Sequence, residues 1–538
     1  MNMENSFIQL TDLPDEILMN ILKQISHVDV LYSLIGVNKR LNNIAHDRIF
    51  TSYLNLMISC SHGNIYPLPN PILDRFCFQI LPEIHDNIQW LNLESSSMER
   101  ILLSTNYPNL YRLDLYDLDI EKAKDFFTDN TSVIHKFKNQ ISLLAIHITK
   151  GENLITRKNM IEHIFIQIFI IFDKLQYLDF GSHSINFQRF FFTILPPTLF
   201  SSTLLELRVS LKRFIDCLYL LDGRFNQLHT LKVNIAFIEQ NSKINNKEKL
   251  PNLRYFSLHC KNDTNYYDEE IKPLVQRMMN LETLNLIFFC KRNKFIDGDE
   301  LKTNIINYMP RLNKFTFNIF SSSRNFNQID LRSNEDIHQT FKYFKDYQII
   351  SYVDYFEKRN ESQCRIYSYP YRLNYYKKIT NNFPGGLFKY VSYISLFDEH
   401  PFEHEFFLQI AQSFPFLKKL SLVNEKGQNN KQCIKSSNHH QNLPIIKYPC
   451  LIELDFVQVH EDYIEQFLLD TKTYLPYNVT VLSDYQSMKN VTHNFRRMAT
   501  QFNCSKVRYI PTSYVTQLPK HFKNYFLSIY IHKFSLFQ

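Results

Sequence analysis

The chain has 538 residues, enough for roughly three or four domains or for one long repeat array. Hydrophobic residues make up 44% and charged residues 21%, which excludes wholesale disorder, and only 9 glycines argue against folds built on glycine-rich phosphate loops. The formal charge of +7 is uneven: from Tyr485 to Gln538 there are eight basic residues and no acid, while the body before it is close to neutral.

Met1 to Leu10 has neither a basic start nor an apolar core, so no signal peptide is expected. The 9 cysteines are odd in number and contain no Cys-x-x-Cys pair. That usage fits reduced thiols in the cytosol or nucleus. The strongest apolar run, Ile164 to Phe172, is interrupted by Gln167. It is shorter than the ~20 residues a bilayer requires, and no membrane partner is expected.

Residues Leu10 to Phe50 read as helices. Pro14 stands where a first helix would begin, where its missing N–H costs nothing, and Asp15 and Glu16 suit the positive end of the helix dipole. Ile17, Leu18, Ile21, Leu22 and Ile25 then mark an apolar face. Asp29 is placed to cap a second helix carrying Val30, Leu31, Leu34 and Ile35, and a third would carry Leu41, Ile44 and Ala45. A core this small needs a partner or a larger body.

The segment from Leu10 to Ile44 resembles an F-box. The matching positions are Leu13, Pro14, Glu16, Ile17, Leu18, Ile21, Leu22, Ile25, Asp29, Val37, Lys39, Arg40 and Leu41. Family members often have Cys where this chain has Asn38, and often end in Trp where it has Phe50. The resemblance implies docking on the Skp adaptor of an SCF-type cullin–RING ubiquitin ligase. Leu13, Pro14, Ile17, Leu18, Ile21 and Leu22 would face the adaptor.

Behind this module a six-residue pattern recurs, apolar-x-x-apolar-x-apolar. Copies start at Ile88, Leu110, Ile141, Leu175, Leu204, Leu228, Leu253, Leu281 and Leu312, and after a gap at Val391, Leu417 and Leu451. The spacing and pattern resemble leucine-rich repeats, which imply a short strand per unit in a parallel sheet and a helix or loop opposite. Ile215, Leu218, Leu220 and Leu221 precede one copy, and Phe406, Phe407, Ile410 and Phe414 precede another; both sets suit such helices. A non-solenoid α/β domain with several similar strands is the alternative. The gap holds strand-like text at 347–356 and 364–371, either two irregular repeats or an insertion.

The expected fold class is therefore α/β: a three-helix F-box over 8–55, then a leucine-rich-repeat-like solenoid with a parallel sheet over 56–484. An irregular insertion is allowed at 320–385, and a basic segment follows at 485–538. In such repeats the x positions of each strand face the concave surface. Tyr111, Arg112, Tyr177, Arg208, Arg254 and Tyr255 are candidates for binding a substrate protein, since Tyr and Arg are enriched at interfaces. The same residues also suit an ordinary solvated strand surface.

His400-Pro401-Phe402-Glu403-His404 matches H-x-x-E-H, an inverted zinc-protease pattern. Pro401 would start the helix and leave His400 outside it. Cys433, His439, His440 and Cys450 match no common zinc spacing. No metal, cofactor or catalytic residue is assigned. The aromatic and basic residues from Phe495 to Phe537 form no recognisable RNA module, and nucleic acid is not an expected partner. The leading expectation is a non-catalytic substrate receptor of a ubiquitin ligase, binding the Skp adaptor, through it the cullin scaffold, and an unidentified target. A non-ligase interaction scaffold is the alternative.

Overall fold

The computed structural model of the chain describes residues 13–59, 65–128, 133–148, 158–181, 189, 191–192, 200–240, 250–324, 331–344, 348–429, 444–513, 519, 522 and 525–529. These divide into two units, one comprising Met1–Cys290 with Thr303–Thr316, the other Lys291–Lys302 with Phe317–Gln538.

The first unit begins with four helices rather than three: α1 (Asp15–Leu22), α2 (His27–Leu34), α3 (Lys39–Ala45) and the single turn α4 (Arg48–Thr51). Each of the last three starts at a polar residue whose side chain accepts an orphan backbone N–H: Ser26 from Asp29, Asn38 from Leu41, Asp47 from Ile49. Asn38 thus has a local job as a cap. Phe50, at the position where Trp is common, is fully buried with the His27 ring edge-on at 5.7 Å.

Strands follow in chain order: β1 (Tyr53–Ser59), β2 (Ile65–Pro67), β3 (Trp90–Glu94), β4 (Arg112–Leu118), β5 (Leu143–Ile148), β6 (Tyr177–Phe180), β7 (Glu206–Arg213), β8 (Thr230–Phe237), β9 (Tyr255–Thr264) and β10 (Thr283–Lys291). Apart from β2, which pairs antiparallel with β1, each lies parallel beside the next. One hydrogen-bond device repeats at the strand starts. The Gln89 carbonyl accepts both the Tyr111 and Arg112 N–H, Tyr111 does the same for Ser142 and Leu143, and the relay continues through Ser142, Gln176, Leu205, His229 and Arg254. It fixes the register, so each copy of the six-residue pattern lands on the same row.

The register explains the core. The fourth and sixth positions of successive copies stack as Leu91, Leu113, Leu144, Leu178, Leu207 and Leu231, and as Leu93, Leu115, Ile146, Phe180, Val209 and Val233, all buried. A fully buried side chain of this size stabilises the fold by roughly 1.5–3 kcal/mol, so the rows outweigh any single polar contact on the opposite face. The helix Phe214–Leu220 covers the apolar side and buries Phe214, Cys217, Leu218 and Leu220.

In the second unit the Asn318–Arg324 part of β11 (Lys314–Arg324) pairs antiparallel with β13 (Glu361–Ser368), which pairs antiparallel with β12 (Ile349–Phe356). The strand-like text in the sequence gap is therefore this hairpin and not a pair of parallel repeats. A second parallel sheet then runs β14 (Tyr375–Ile379), β15 (Tyr393–Phe397), β16 (Lys419–Asn424), β18 (Glu453–Val459), β20 (Val479–Ser483), β21 (Val507–Pro511) and β22 (Ser528–Ile529). The short strands β17 (Ile446–Lys447) and β19 (Thr473–Tyr474) pair separately. Its core is aromatic, with Tyr376, Phe383, Phe388 and Phe414 in mutual ring contact.

The strand–helix alternation runs through residue 485. The helices Tyr485–Val491 and Met498–Cys504 lead into β21, and several basic residues there are engaged with the body. Arg497 pairs with Glu465 at 2.7 Å, and Lys506 lies over the Tyr474 and Phe502 rings at 3.8 Å each. Over its described part this stretch is not a solvated tail. No helix among the described residues is long and apolar enough to cross a membrane.

Candidate functional site

Helix α1 carries apolar side chains on two faces. Leu18 and Leu22 point into the protein and are buried. Ile17, Ile21 and Ile25, spaced four apart, lie in a row and are 47%, 40% and 44% exposed. Single exposed hydrophobics are ordinary, whereas several in a row form a contiguous apolar patch. Arg40 of α3 holds the start of the helix. Its guanidinium donates to the Asp15 carboxylate at 2.7 Å and to the Leu13 carbonyl. Ile25 also lines a cleft of about 520 Å³ between the start of α2 and β1, with His27, Asp29, Tyr53 and Met57 on its walls.

Of the six residues expected to face an adaptor, Pro14, Ile17 and Ile21 are exposed and Leu13 is half-buried. Leu18 and Leu22 require correction. At 0% and 4% exposure they belong to the protein's own core and not to its open surface. The i, i+1, i+4, i+5 spacing marks both faces equally, and nothing in it says which one turns inward.

Residues 10–53 match the family model for the F-box domain. This segment is an F-box domain. No curated protein matches the chain. F-box domains bind the Skp adaptor in SCF complexes, and proteins carrying them are typically non-catalytic adaptors.

Behind the F-box, the first sheet presents a second surface. Its outward row one is Tyr53, Trp90, Arg112, Leu143, Tyr177, Glu206, Thr230 and Tyr255. Row two includes Asn92, Asp114, Ala145, Asp179, Arg208 and Lys232. Cations and rings interleave along them. The Arg112 guanidinium lies 3.8 Å from the Trp90 ring centre and 5.5 Å from that of Tyr177, and Arg208 approaches Tyr177 at 5.3 Å from the other side. Arg112 also grips Asp114 with two parallel hydrogen bonds of 3.1 and 3.0 Å. Burial raises the Asp114 carboxyl above its ordinary value, against the pull of Arg112. Burial and the Asp114 charge push the Tyr116 phenol up to about 12, and that ring stacks on His147 at 4.4 Å.

The candidate substrate residues thus fall into groups. Arg112, Tyr177 and Arg208 meet in one ladder. Tyr255 sits further along beneath Lys232, at 4.9 Å, and Arg254 lies 3.9 Å from Glu282. Tyr111 is 43% exposed at the start of β4 and belongs to neither contact. Trp90, which stacks on Arg112 in the ladder, is not among the candidates, while Asp114 shares the outward x positions with Tyr111 and Arg112. The signal for Trp90 was its x position in the first copy of the pattern, the same slot that held Arg112 in the next.

The H-x-x-E-H segment does not present a pair of metal ligands on one helix. The helix begins at His404, with Glu403 as its N-cap and His400 before it. His404 is buried, with Nε2 2.9 Å from the Pro444 carbonyl and Nδ1 3.1 Å from Gln466 Nε2. Among the described residues no group of three or more His, Cys, Asp or Glu side chains is placed to hold a metal. Cys433, His439 and His440 lie outside those residues. The described cysteines are free, and burial pushes the thiols of Cys217 and Cys260 up to about 12 and about 11.

Proposed function

We propose that the chain is the substrate-recognition subunit of an SCF-type cullin–RING ubiquitin ligase. The observation that carries this reading is the pair Ile17 and Ile21 left exposed on α1, with Ile25 exposed in the bend just after it, in a domain whose family binds the Skp adaptor. Leu13, Pro14, Ile17 and Ile21 make the adaptor contact, and Leu18 and Leu22 keep the helix in place for it. The cullin scaffold is reached through the adaptor.

The region beyond the F-box is read as a leucine-rich-repeat-like solenoid. Its support is the repeated carbonyl relay at the strand starts and the sequential parallel pairing. Its outward rows would hold the target, with Arg112, Tyr177 and Arg208 as the first contacts and Tyr111, Arg254 and Tyr255 around them. The polypeptide contributes no bond-making group in this reading. It supplies proximity, holding a target lysine where a charged conjugating enzyme reaches it. The reduced, buried cysteines fit work in the cytosol or nucleus.

Co-purification tests the reading. The Skp adaptor should accompany the full chain and be lost when Leu13→Ala, Pro14→Ala and Ile17→Ala are combined. A folded native chain that captures no adaptor would end the ligase reading and leave the interaction scaffold in its place.

A further inference from the structure

The second unit gathers cations where its antiparallel hairpin meets the second parallel sheet. At the hairpin tip, between β12 and β13, the Lys358 and Arg359 backbone N–H groups donate to the Glu399 carboxylate at 3.0 and 3.1 Å, which fixes the turn. The Arg359 guanidinium lies over the Phe397 ring at 4.2 Å. The Lys358 amine sits beside that of Lys426, and this neighbour lowers its pKa.

Lys378 is placed by an unusual backbone. Its φ is +52°, in the left-handed region that a side-chain-bearing residue adopts at a cost. The β14–β15 register slips between Tyr376 and Ile379, leaving one extra residue in β14. Such a bulge re-aims a side chain, and here the Lys378 ammonium comes to 5.6 Å from the Phe320 ring. The Ser395 hydroxyl accepts the Lys378 N–H at 2.9 Å and holds the distortion.

Arg365 shares that ring. Its guanidinium lies between Phe320 at 4.7 Å and Tyr376 at 4.6 Å, donates to the Lys377 carbonyl at 2.6 Å, and keeps a buried Nε–H without an acceptor. Burial lowers the pKa of Lys378, Glu361 raises it, and Arg365, Arg359 and Lys291 lower it further. Lys291, Lys358, Arg359, Arg365, Lys378 and Lys426 thus share a region whose acids include Glu361, Glu399, Glu425 and, beside Arg365, the buried Asp354. Collecting like charges this way is unfavourable in the free protein and favourable once an anion arrives.

We propose that this basic bay receives an acidic segment of the target protein, with Asp or Glu side chains reaching Arg359 and Lys378. The inference rests on the substrate-receptor reading. Cations carried on a hairpin tip, a strand bulge and the turn after β16 suit several carboxylates on one extended chain better than one small enclosed ion. Arg365 stays a support: clamped between two rings, it holds Phe320 and the local positive field in place.

The test uses the full chain purified with the adaptor and a fluorescein-labelled hexaglutamate peptide. Hexaglutamate should bind, weaken steeply as salt rises, and bind at least roughly tenfold more weakly to Arg359→Ser with Lys378→Asn, the scale of one lost charged hydrogen bond. Asn tolerates the left-handed backbone at 378. Should that pair fail to fold, Lys358→Ser with Lys426→Ser, both at exposed positions, must weaken binding in the same direction. Lys136→Ser, in the other unit, must leave it unchanged. Absence of hexaglutamate binding, equal binding by these variants, or binding only of a phosphoserine peptide overturns the inference. Because adaptor capture is read on the same sample, a chain that keeps the adaptor but ignores hexaglutamate fails this proposal alone.

Discussion

On helix α1 the apolar side chains divide between two faces; on the strands of the first sheet the stacked fourth and sixth positions of the repeat turn inward. Leu18 and Leu22 are buried while Ile17 and Ile21 stay open, whereas the stacked rows from Leu91 to Leu231 and from Leu93 to Val233 are enclosed and the outward rows are mostly polar and aromatic. The polar groups on the sheet largely answer one another, as Arg112 answers Asp114 and Arg208 answers Glu206. The helix stripe has no such internal answer among its described neighbours. The two surfaces are therefore suited to different work. The stripe gains free energy from any partner that covers it, while the ladder gains little from mere contact and discriminates by what it can stack against and pair with.

The sharpest way to break this comparison is to exchange the fates of the two helix faces. Ile17→Asp with Ile21→Asp should reduce adaptor affinity by at least about a hundredfold, since two apolar contacts are lost and two charges would be desolvated. The melting temperature should barely move. Leu18→Ala should do the reverse, lowering stability by roughly 2–5 kcal/mol through a core cavity and weakening adaptor capture only as the domain unfolds. Calorimetric unfolding beside adaptor titration separates the two patterns, and similar behaviour of the two variants would erase the distinction between the faces.

Asp354 in the second unit offers a buried acid for comparison with the ladder. Burial raises its carboxyl pKa to about 6, although the Thr380 hydroxyl and the Asn382 amide donate to it at 2.8 and 2.9 Å. The folded value lies above that of the unfolded chain, so folding takes up a proton between about pH 4 and 6 and stability falls as pH rises through that window. Asp354→Asn should be more stable than the native chain by up to about 2–3 kcal/mol at neutral pH, with the difference closing near pH 4. Melting curves across that range check it, and a constant difference would assign the effect to packing.

In the ladder itself, Arg112→Ala strips the buried Asp114 of its partner and should cost about 1–3 kcal/mol. Adding Asp114→Asn should recover part of the loss, a coupling that a double-mutant cycle reads directly. The smallest effect is expected at Arg40. Its pair with Asp15 is half-exposed, and Arg40→Ala should change stability by no more than about 1 kcal/mol.

Much of the parallel sheet was legible because its rule is local: an apolar residue three before the next, then alternation. Legibility failed where one residue breaks the rule without breaking the structure. β1 pairs with β3 as the copies pair with each other, Leu54 beside Leu91 and Leu56 beside Leu93. Its leading position is Thr51, fully buried but satisfied by a hydroxyl bond to the Asp47 carbonyl, so a polar letter sits where the pattern wants an apolar one. β20 was passed over for a related reason, since Asn478, at φ +72°, stands just before it. The hairpin of β12 and β13 was visible as strands but not as antiparallel ones, because alternation carries no direction. On α1, spacing located the apolar stripe yet could not say that Ile17, 47% exposed, rather than Leu18, fully buried, faces out. The Arg112 ladder depends on residues some twenty or more positions apart meeting across strands, which only the register reveals.

The central claim is that the open face of α1 is where the adaptor sits. Hydrogen exchange of the full chain, with and without saturating Skp adaptor, locates that contact most directly. The account predicts new protection concentrated in 13–25, with the strands from β3 onward unchanged. Adaptor binding that leaves α1 unprotected, or that protects the sheet instead, would contradict it.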